Sequence, residues 1–234
     1  MNREYHHWVS PNLGRSMETL VFGRAGAPVL VFPTTMGRFY QYEDFEMVAA
    51  LEPKIDAGLI QLFCPDSVDA ESWNNKAVPP RQRVLRHLDY ERYILDEYLP
   101  FIHRHNPNPL LVTGTSFGAY HAVNFAFKHP SLVAQVVALS GRYDIKGFMD
   151  GYYDDDVYYN CPVDFLPNLI DEAYLGPMRK MRIVLLSGEH DIALASTRMI
   201  SETLTVKNVP NELAIWWGHT HDWPLWREAI PHYL

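Results

Sequence analysis

Six short apolar runs, separated by segments long enough to form helices, are the feature of this sequence that most constrains its fold. Runs that are apolar on both faces suit buried parallel strands, and strands that alternate with helices form βαβ units. The pattern predicts an α/β fold with a mainly parallel central sheet and helices on both faces. The runs are VLVFP from Val29, LIQLFC from Leu59, LLVTG from Leu110, VVALS from Val136, IVLLSG from Ile183 and LAIWW from Leu213.

The chain before Val29 follows a different pattern. EYHHWVS and SMETLVFG are two β-prone runs joined by PNLGR, which predicts an N-terminal β-hairpin. The segments between and after the apolar runs predict four helices, and the segment from Arg81 shows the spacing of apolar residues that a helix on the sheet needs. They are expected from Arg81 through RQRVLRHLDYERYILDEYLPFIHRH, after Gly114 to about Pro130, from Ala193 to about Val206, and from about Trp223 to the end of the chain.

Length and periodicity indicate the domain organisation. A chain of 234 residues suits one α/β domain, which we predict over residues 1–234. Residues 142–180 break the alternation, because they are rich in Tyr, Asp, Gly and Pro and weak in periodicity. Long irregular segments in compact domains often form lids or binding loops. We therefore interpret 142–180 as an irregular, lid-like insertion over the active-site edge.

Charge and cysteine content limit the partners and the location. The formal net charge is -8, with no basic surplus for nucleic acid. No run of 18 apolar residues and no apolar signal segment occurs, so no membrane partner is expected. Cys64 and Cys161 lie far apart in hydrophobic surroundings, which favours free thiols in a reducing compartment. We expect a cytoplasmic protein. Its oligomeric state is left open, with a homo-oligomer among the alternatives.

The most specific motif is Gly114-Thr115-Ser116-Phe117-Gly118, which has the form G-x-S-x-G. It follows an apolar run and precedes a helix pattern, as in the nucleophile elbow of α/β-hydrolases. There the chain turns at once from strand to helix, and the sharp turn leaves no room for side chains beside the serine. Ser116 is the predicted nucleophile.

A serine hydroxyl needs a base, and the base needs an acid that orients it. In α/β-hydrolases the chain order is Ser, acid, His. His221 lies late, between LAIWW and the last helix, with His219 as the alternative base. Asp191 follows IVLLSG and is the predicted acid, although it could instead cap the next helix. Glu189 and Asp144 are the alternative acids.

Two backbone N–H groups should face the developing negative charge. One belongs to Phe117, directly after the nucleophile. The other is predicted at Thr35 in the loop after the first apolar run, with Met36 as the alternative. Four aromatic residues are further predicted to line a substrate pocket. Alternatively, they pack in the core or on the surface. The four residues are Tyr40, Tyr152, Tyr153 and Trp223.

The segments VLVFPTTMG, VTGTSFGAYHAVNFAFKHP, SGEHD and GHTHDWPLW resemble the "Putative esterase" family of α/β-hydrolases. That family includes esterase D (S-formylglutathione hydrolase) and the mycolyltransferases of the antigen 85 complex. The last segment is similar to the family's His-x-Trp-x-x-Trp ending, in which the histidine is catalytic. The resemblance therefore implies His221 as the base, followed by Trp223 and Trp226. It spans about Val29 to Leu234, with Ala119 where the family commonly has Gly.

The predicted function is that of a serine esterase, a carboxylic-ester hydrolase. Through a Ser-His-Asp catalytic triad and an acyl-enzyme, it would cleave a small-molecule ester or thioester. An acyltransferase with the same triad and a non-catalytic binding protein on a hydrolase scaffold are the alternatives. No HExxH or paired-cysteine spacing occurs, and the run Asp154-Asp155-Asp156 lacks the calcium-loop pattern. We expect neither a metal nor a cofactor.

Overall fold

One eight-stranded sheet forms the centre of the computed structural model, which describes residues 1–234. Its strand order is β1-β2-β4-β3-β5-β6-β7-β8. β2 is antiparallel to β1 and β4, and the other neighbours are parallel. The predicted mainly parallel α/β fold with an N-terminal hairpin is confirmed. The strands are β1 (Arg3–Ser10), β2 (Arg15–Phe22), β3 (Ala27–Phe32), β4 (Ile60–Pro65), β5 (Leu110–Thr115), β6 (Val133–Leu139), β7 (Arg182–Gly188) and β8 (Glu212–Trp216).

Both faces of the sheet are buried, as the runs of consecutive apolar residues predict. Successive side chains of a strand point to opposite faces. In β3, Leu30 and Phe32 belong to one apolar cluster, whereas Val29 and Val31 belong to another. Each cluster lies between the sheet and a layer of helices, so the strands are covered on both sides.

The four predicted helices are present, and two further helices follow β3. A π-helical turn, Ile94–Tyr98, joins the third and fourth helices. No helix combines the length and the apolar character needed to cross a bilayer. The helices are α1 (Gln41–Asp44), α2 (Met47–Asp56), α3 (Pro80–Tyr93), α4 (Leu99–His105), α5 (Phe117–Lys128), α6 (Asp155–Tyr158), α7 (Pro162–Asn168), α8 (Glu172–Met178), α9 (Leu194–Val206) and α10 (Trp223–Ala229).

Residues 142–180 are more regular than their sequence suggests, because they contain α6, α7 and α8. These helices have only four to seven residues, too few to show a helical period in the sequence. Pro167 and Pro177 lie inside α7 and α8 and limit their length. Only the beginning of the segment borders the cleft described below, and its role as a lid stays a prediction.

The parallel strands place their carboxyl ends at one edge of the sheet. β5 ends directly before Ser116, β7 ends shortly before Asp191, and β8 ends shortly before His221. Residues that are 105 and 30 positions apart in the sequence therefore meet at one edge.

Candidate active site

Ser116 stands at a sharp turn between β5 and α5. Its φ of 55° lies in the left-handed region, which costs energy for a residue with a side chain. Its N–H donates to the Leu139 carbonyl at 2.8 Å, which ties the turn to β6. A Cβ on Gly114 would lie 2.2 Å from the Gly118 carbonyl oxygen, and one on Gly118 would lie 2.3 Å from the Phe32 carbonyl oxygen. The two glycines are therefore required by close backbone approach.

The structure brings Ser116, His221 and Asp191 together. His221 Nε2 lies 2.9 Å from Ser116 Oγ, and His221 Nδ1 lies 2.7 Å from Asp191 Oδ1. A carboxylate only accepts hydrogen bonds, so Nδ1 donates to it, and Nε2 of the neutral ring accepts from the serine hydroxyl. This arrangement can move the hydroxyl proton to the imidazole while the carboxylate stabilises the resulting charge.

The Asp191 carboxylate is buried, and its hydrogen bonds keep it ionised. Burial raises the pKa of Asp191, but hydrogen bonds from His221 and from the Ala193 N–H outweigh that effect and hold the pKa below its usual value. The Ala193 N–H donates to Oδ1 at 2.7 Å. One oxygen thus orients the imidazole and also accepts from the backbone just before α9.

Trp226 packs against the His221 imidazole. The two rings meet edge to face, with 5.2 Å between the centroids of His221 and Trp226. The Trp226 indole N–H donates to Ser140 Oγ at 2.8 Å, which anchors the indole to the end of β6. The imidazole is therefore held by packing as well as by its hydrogen bonds.

The alternative base and acids have other partners. His219 Nε2 lies 3.6 Å from Glu228 Oε2, and Glu189 Oε2 accepts a hydrogen bond from the Gly218 N–H at 3.1 Å. Asp144 accepts from the Lys146 N–H at 2.9 Å. None of these side chains contacts His221 or Ser116 through a hydrogen bond.

The loop after β3 leaves one backbone N–H without an acceptor. The Thr34 N–H donates to Gln41 Oε1 at 2.8 Å, the Met36 N–H to Asp69 Oδ2 at 3.3 Å, and the Gly37 N–H to the Thr34 carbonyl at 2.8 Å. The Thr35 N–H donates to no protein group, and Thr35 borders the same cleft as Ser116.

Phe117 supplies a second free N–H, because the first residue of a helix has no intrahelical acceptor. It also borders the cleft. Two N–H donors, one from the loop after β3 and one from the start of α5, are thus available near the serine hydroxyl.

Asp69 and His121 are buried polar residues near this site that the sequence did not single out. Their side chains are 2% and 3% exposed, and His121 Nε2 lies 3.0 Å from Asp69 Oδ1. The only sequence signal for Asp69 is its place shortly after β4, whose carboxyl end lies at the same edge of the sheet.

The cleft beside Ser116 has a volume of about 580 Å³. Its lining is Thr35, Ser116, Phe117, Arg142, Asp144, Gly147, Phe148, Ile192 and His221. None of the four predicted pocket aromatics is part of this lining. Tyr152 and Tyr153 donate their hydroxyls to carboxylates, Trp223 stacks on Phe45 at 4.3 Å, and the Tyr40 side chain is exposed.

One group of residues in the chain has the spacing of metal ligands, and it is not at the cleft. Glu4, His6 and His105 offer ligand atoms within 4.8 Å of one another. They lie on β1 and α4, away from the strand ends that carry Ser116 and His221. The histidines and acids near the cleft form no such group.

The strand order, the turn at Ser116 and the late histidine define the α/β-hydrolase class of fold. Three solved structures superpose on 99% of this chain. A ferulic acid esterase superposes with a TM-score of 0.79 at 15% identity over 95% of its own chain. S-formylglutathione hydrolase of Staphylococcus aureus superposes with a TM-score of 0.75 at 16% identity, over 94% of its own chain. The fluorophosphonate-binding serine hydrolase F of the same organism superposes with a TM-score of 0.75 at 17% identity, over 96% of its own chain.

The family follows from the sequence itself. The model of the family described as "Putative esterase" matches residues 65–234, and the chain belongs to this family. The resemblance seen in the motifs is confirmed. A search of curated proteins gave no significant match.

Proposed function

We propose that the protein is a serine hydrolase that cleaves carboxylic esters and thioesters, with Ser116 as nucleophile, His221 as general base and Asp191 as the acid. The observation that carries the proposal is the chain of two hydrogen bonds, 2.9 Å and 2.7 Å long, that links the three side chains. Membership in an esterase family supports ester substrates.

In the proposed reaction, His221 Nε2 takes the proton of the Ser116 hydroxyl as Oγ attacks the ester carbonyl. The tetrahedral oxyanion accepts hydrogen bonds from the free N–H groups of Thr35 and Phe117. Loss of one such donor costs about 2.7–4 kcal/mol of barrier in comparable sites. The Met36 N–H is engaged with Asp69, which favours Thr35 as the second donor.

The acyl-enzyme is then cleaved by water that His221 activates. The exposed side chains of Arg142, Asp144 and Ile192 border the cleft, so water has access to the acylated serine. This favours hydrolysis over transfer to an alcohol, a reaction that would use the same groups.

Labelling tests the nucleophile directly. A fluorophosphonate probe should label the wild-type protein and not Ser116→Ala. Ser131→Ala, at an exposed serine, is the matched control and should label like the wild type. Labelling of Ser116→Ala at the wild-type rate would contradict the proposal.

The reaction class is tested with p-nitrophenyl esters from acetate to palmitate, together with a thioester and an amide. Esters and thioesters should be turned over, and the amide should be turned over far more slowly. A protein that is labelled by the probe but cleaves none of the esters would exclude this substrate class.

A cytoplasmic location is also proposed. Cys64 and Cys161 are both buried and form no disulfide, which fits a reducing compartment. Fractionation of cells that produce the untagged protein at its natural level tests the location.

A further inference from the structure

Arg142 lies beside the proposed nucleophile. It follows β6 by three residues, and β6 pairs with β5, whose end carries Ser116. Arg142 lines the cleft together with Ser116, Thr35 and His221. A group bound to the guanidinium would therefore share the cleft with the reacting ester.

The backbone around Arg142 is anchored on both sides. Gly141 and Tyr143 are buried, whereas Arg142 between them is exposed. The Tyr143 N–H donates to Ser196 Oγ at 3.0 Å, and the Gly141 carbonyl accepts from Thr197 Oγ1 at 3.4 Å. The side chain is therefore presented to the cleft from a fixed backbone.

The positive charge of Arg142 has no partner within the protein. Most arginines of this acidic chain form an ion pair with a carboxylate, but Arg142 forms neither an ion pair nor a hydrogen bond. Asp144, the one acid in the cleft lining, lies 3.4 Å from Lys146 Nζ. Lys146 in turn lies 2.6 Å from Asp164. Asp144 is thus already paired, and the guanidinium is left free.

We propose that Arg142 binds a carboxylate group on the substrate, so that the preferred esters are anionic. A guanidinium presents two parallel N–H donors that match the two oxygens of a carboxylate. The inference rests on the proposed function, because it concerns the substrate of the same serine. In this arrangement the carboxylate of the substrate lies on the β6 side of the ester bond. The Thr35 loop, which follows β3, lies on the opposite side, because β5 stands between β3 and β6 in the sheet.

Two matched pairs of esters test the inference and locate the charge. The first pair is p-nitrophenyl hydrogen adipate and the neutral p-nitrophenyl 6-oxoheptanoate, which differ at the end of the acyl chain. The second pair is 4-acetoxybenzoate and its methyl ester, which differ in the leaving group. For each pair, the measured quantity is the ratio of kcat/KM for the anionic ester to kcat/KM for the neutral ester.

The variants are Arg142→Gln and, as matched control, Arg198→Gln. Arg198 also lacks a carboxylate partner but is not part of the cleft lining. In Arg142→Gln the ratio should fall roughly ten- to hundredfold for at least one pair, the range expected for a lost charged hydrogen bond. In Arg198→Gln it should stay at the wild-type value. Thermal melting confirms that both variants are folded.

The outcomes separate this inference from the proposed function. Hydrolysis by the wild type with the same ratio in Arg142→Gln would overturn the role of Arg142 and leave the serine mechanism intact. An equal fall in Arg198→Gln would also overturn it, because the effect would then come from overall charge. A wild type that hydrolyses none of the four esters would refute the proposed function and this inference with it.

Discussion

Asp69 Oδ2 accepts a hydrogen bond from the Met36 N–H at 3.3 Å, which joins the loop after β4 to the loop that carries Thr35. Met36 has a φ of 55°, a left-handed conformation that most residues avoid. The other carboxylate oxygen lies 3.0 Å from His121 Nε2 on α5. Asp69 thus connects the Thr35 loop to the helix that begins directly after Ser116, and it engages the Met36 N–H.

Removal of the Asp69 carboxylate should therefore slow the chemical step. In Asp69→Ala we expect kcat to fall about tenfold or more with a smaller change in KM, because a displaced oxyanion donor acts mainly in the transition state. Asp69→Asn retains an acceptor for the Met36 N–H and should keep most of the activity. Steady-state kinetics on one ester gives both constants. Equal losses in the two variants, or a loss confined to KM, would contradict this role.

The sequence predicted the parts of this structure that depend on local patterning. Each of the six apolar runs forms a strand. In a strand of a sheet that is covered on both sides, successive side chains point to opposite faces and are all buried, which suits a short run of apolar residues. The elbow at Ser116 was predictable because Gly114 and Gly118 are required by contacts with nearby backbone. Chain order predicted the acid and the base after the last two apolar runs, which form β7 and β8 and are followed by Asp191 and His221.

The remaining features depend on contacts between distant segments, which a single sequence does not reveal. Nothing in the local sequence pairs His121 with Asp69, because the two residues lie 52 positions apart and meet only in the folded chain. The free charge of Arg142 is apparent only when the partners of Asp144 are known. The helices within 142–180 were missed because their prolines and short lengths hide the helical period.

Asp191→Asn should lower kcat by roughly a hundredfold or more while KM changes little. The amide oxygen can still accept from His221, but the negative charge that stabilises the imidazolium is lost. Glu189→Gln is the matched control, since Glu189 contacts the Gly218 N–H and His190 rather than His221. Kinetics of both variants on one ester checks the assignment of the acid. A larger loss in Glu189→Gln than in Asp191→Asn would reverse it.

Gly118→Ala should destabilise the fold and abolish most of the activity. The added Cβ would lie 2.3 Å from the Phe32 carbonyl oxygen and 2.6 Å from that of Pro33, so β3 and the elbow must separate. Overpacking of this kind typically costs about 1–3 kcal/mol. Gly176→Ala in α8 is the control, because its Cβ meets nothing within 4 Å. Thermal melting should show a lower Tm for the first variant and an unchanged or higher Tm for the second.

His87 should make the fold sensitive to acid. Burial lowers the pKa of His87 to about 3, and the nearby His121 acts in the same direction. Its Nε2 donates to Asn160 Oδ1 at 3.1 Å, and its Nδ1 has no partner. In the unfolded chain the pKa of histidine is about 6.5. The folded state therefore keeps this ring neutral at a pH where the unfolded chain already binds the proton.

Because the unfolded state binds one more proton between pH 6.5 and about 3, the free energy of unfolding should decrease as the pH falls through this range. Each pH unit contributes up to about 1.4 kcal/mol. His87→Gln can still donate to Asn160 but does not titrate, so its free energy of unfolding should depend less on pH. His103→Gln, at an exposed histidine of α4, should keep the wild-type slope. Urea unfolding at pH 4, 5, 6 and 7 measures these slopes, and identical slopes for His87→Gln and the wild type would refute the assignment.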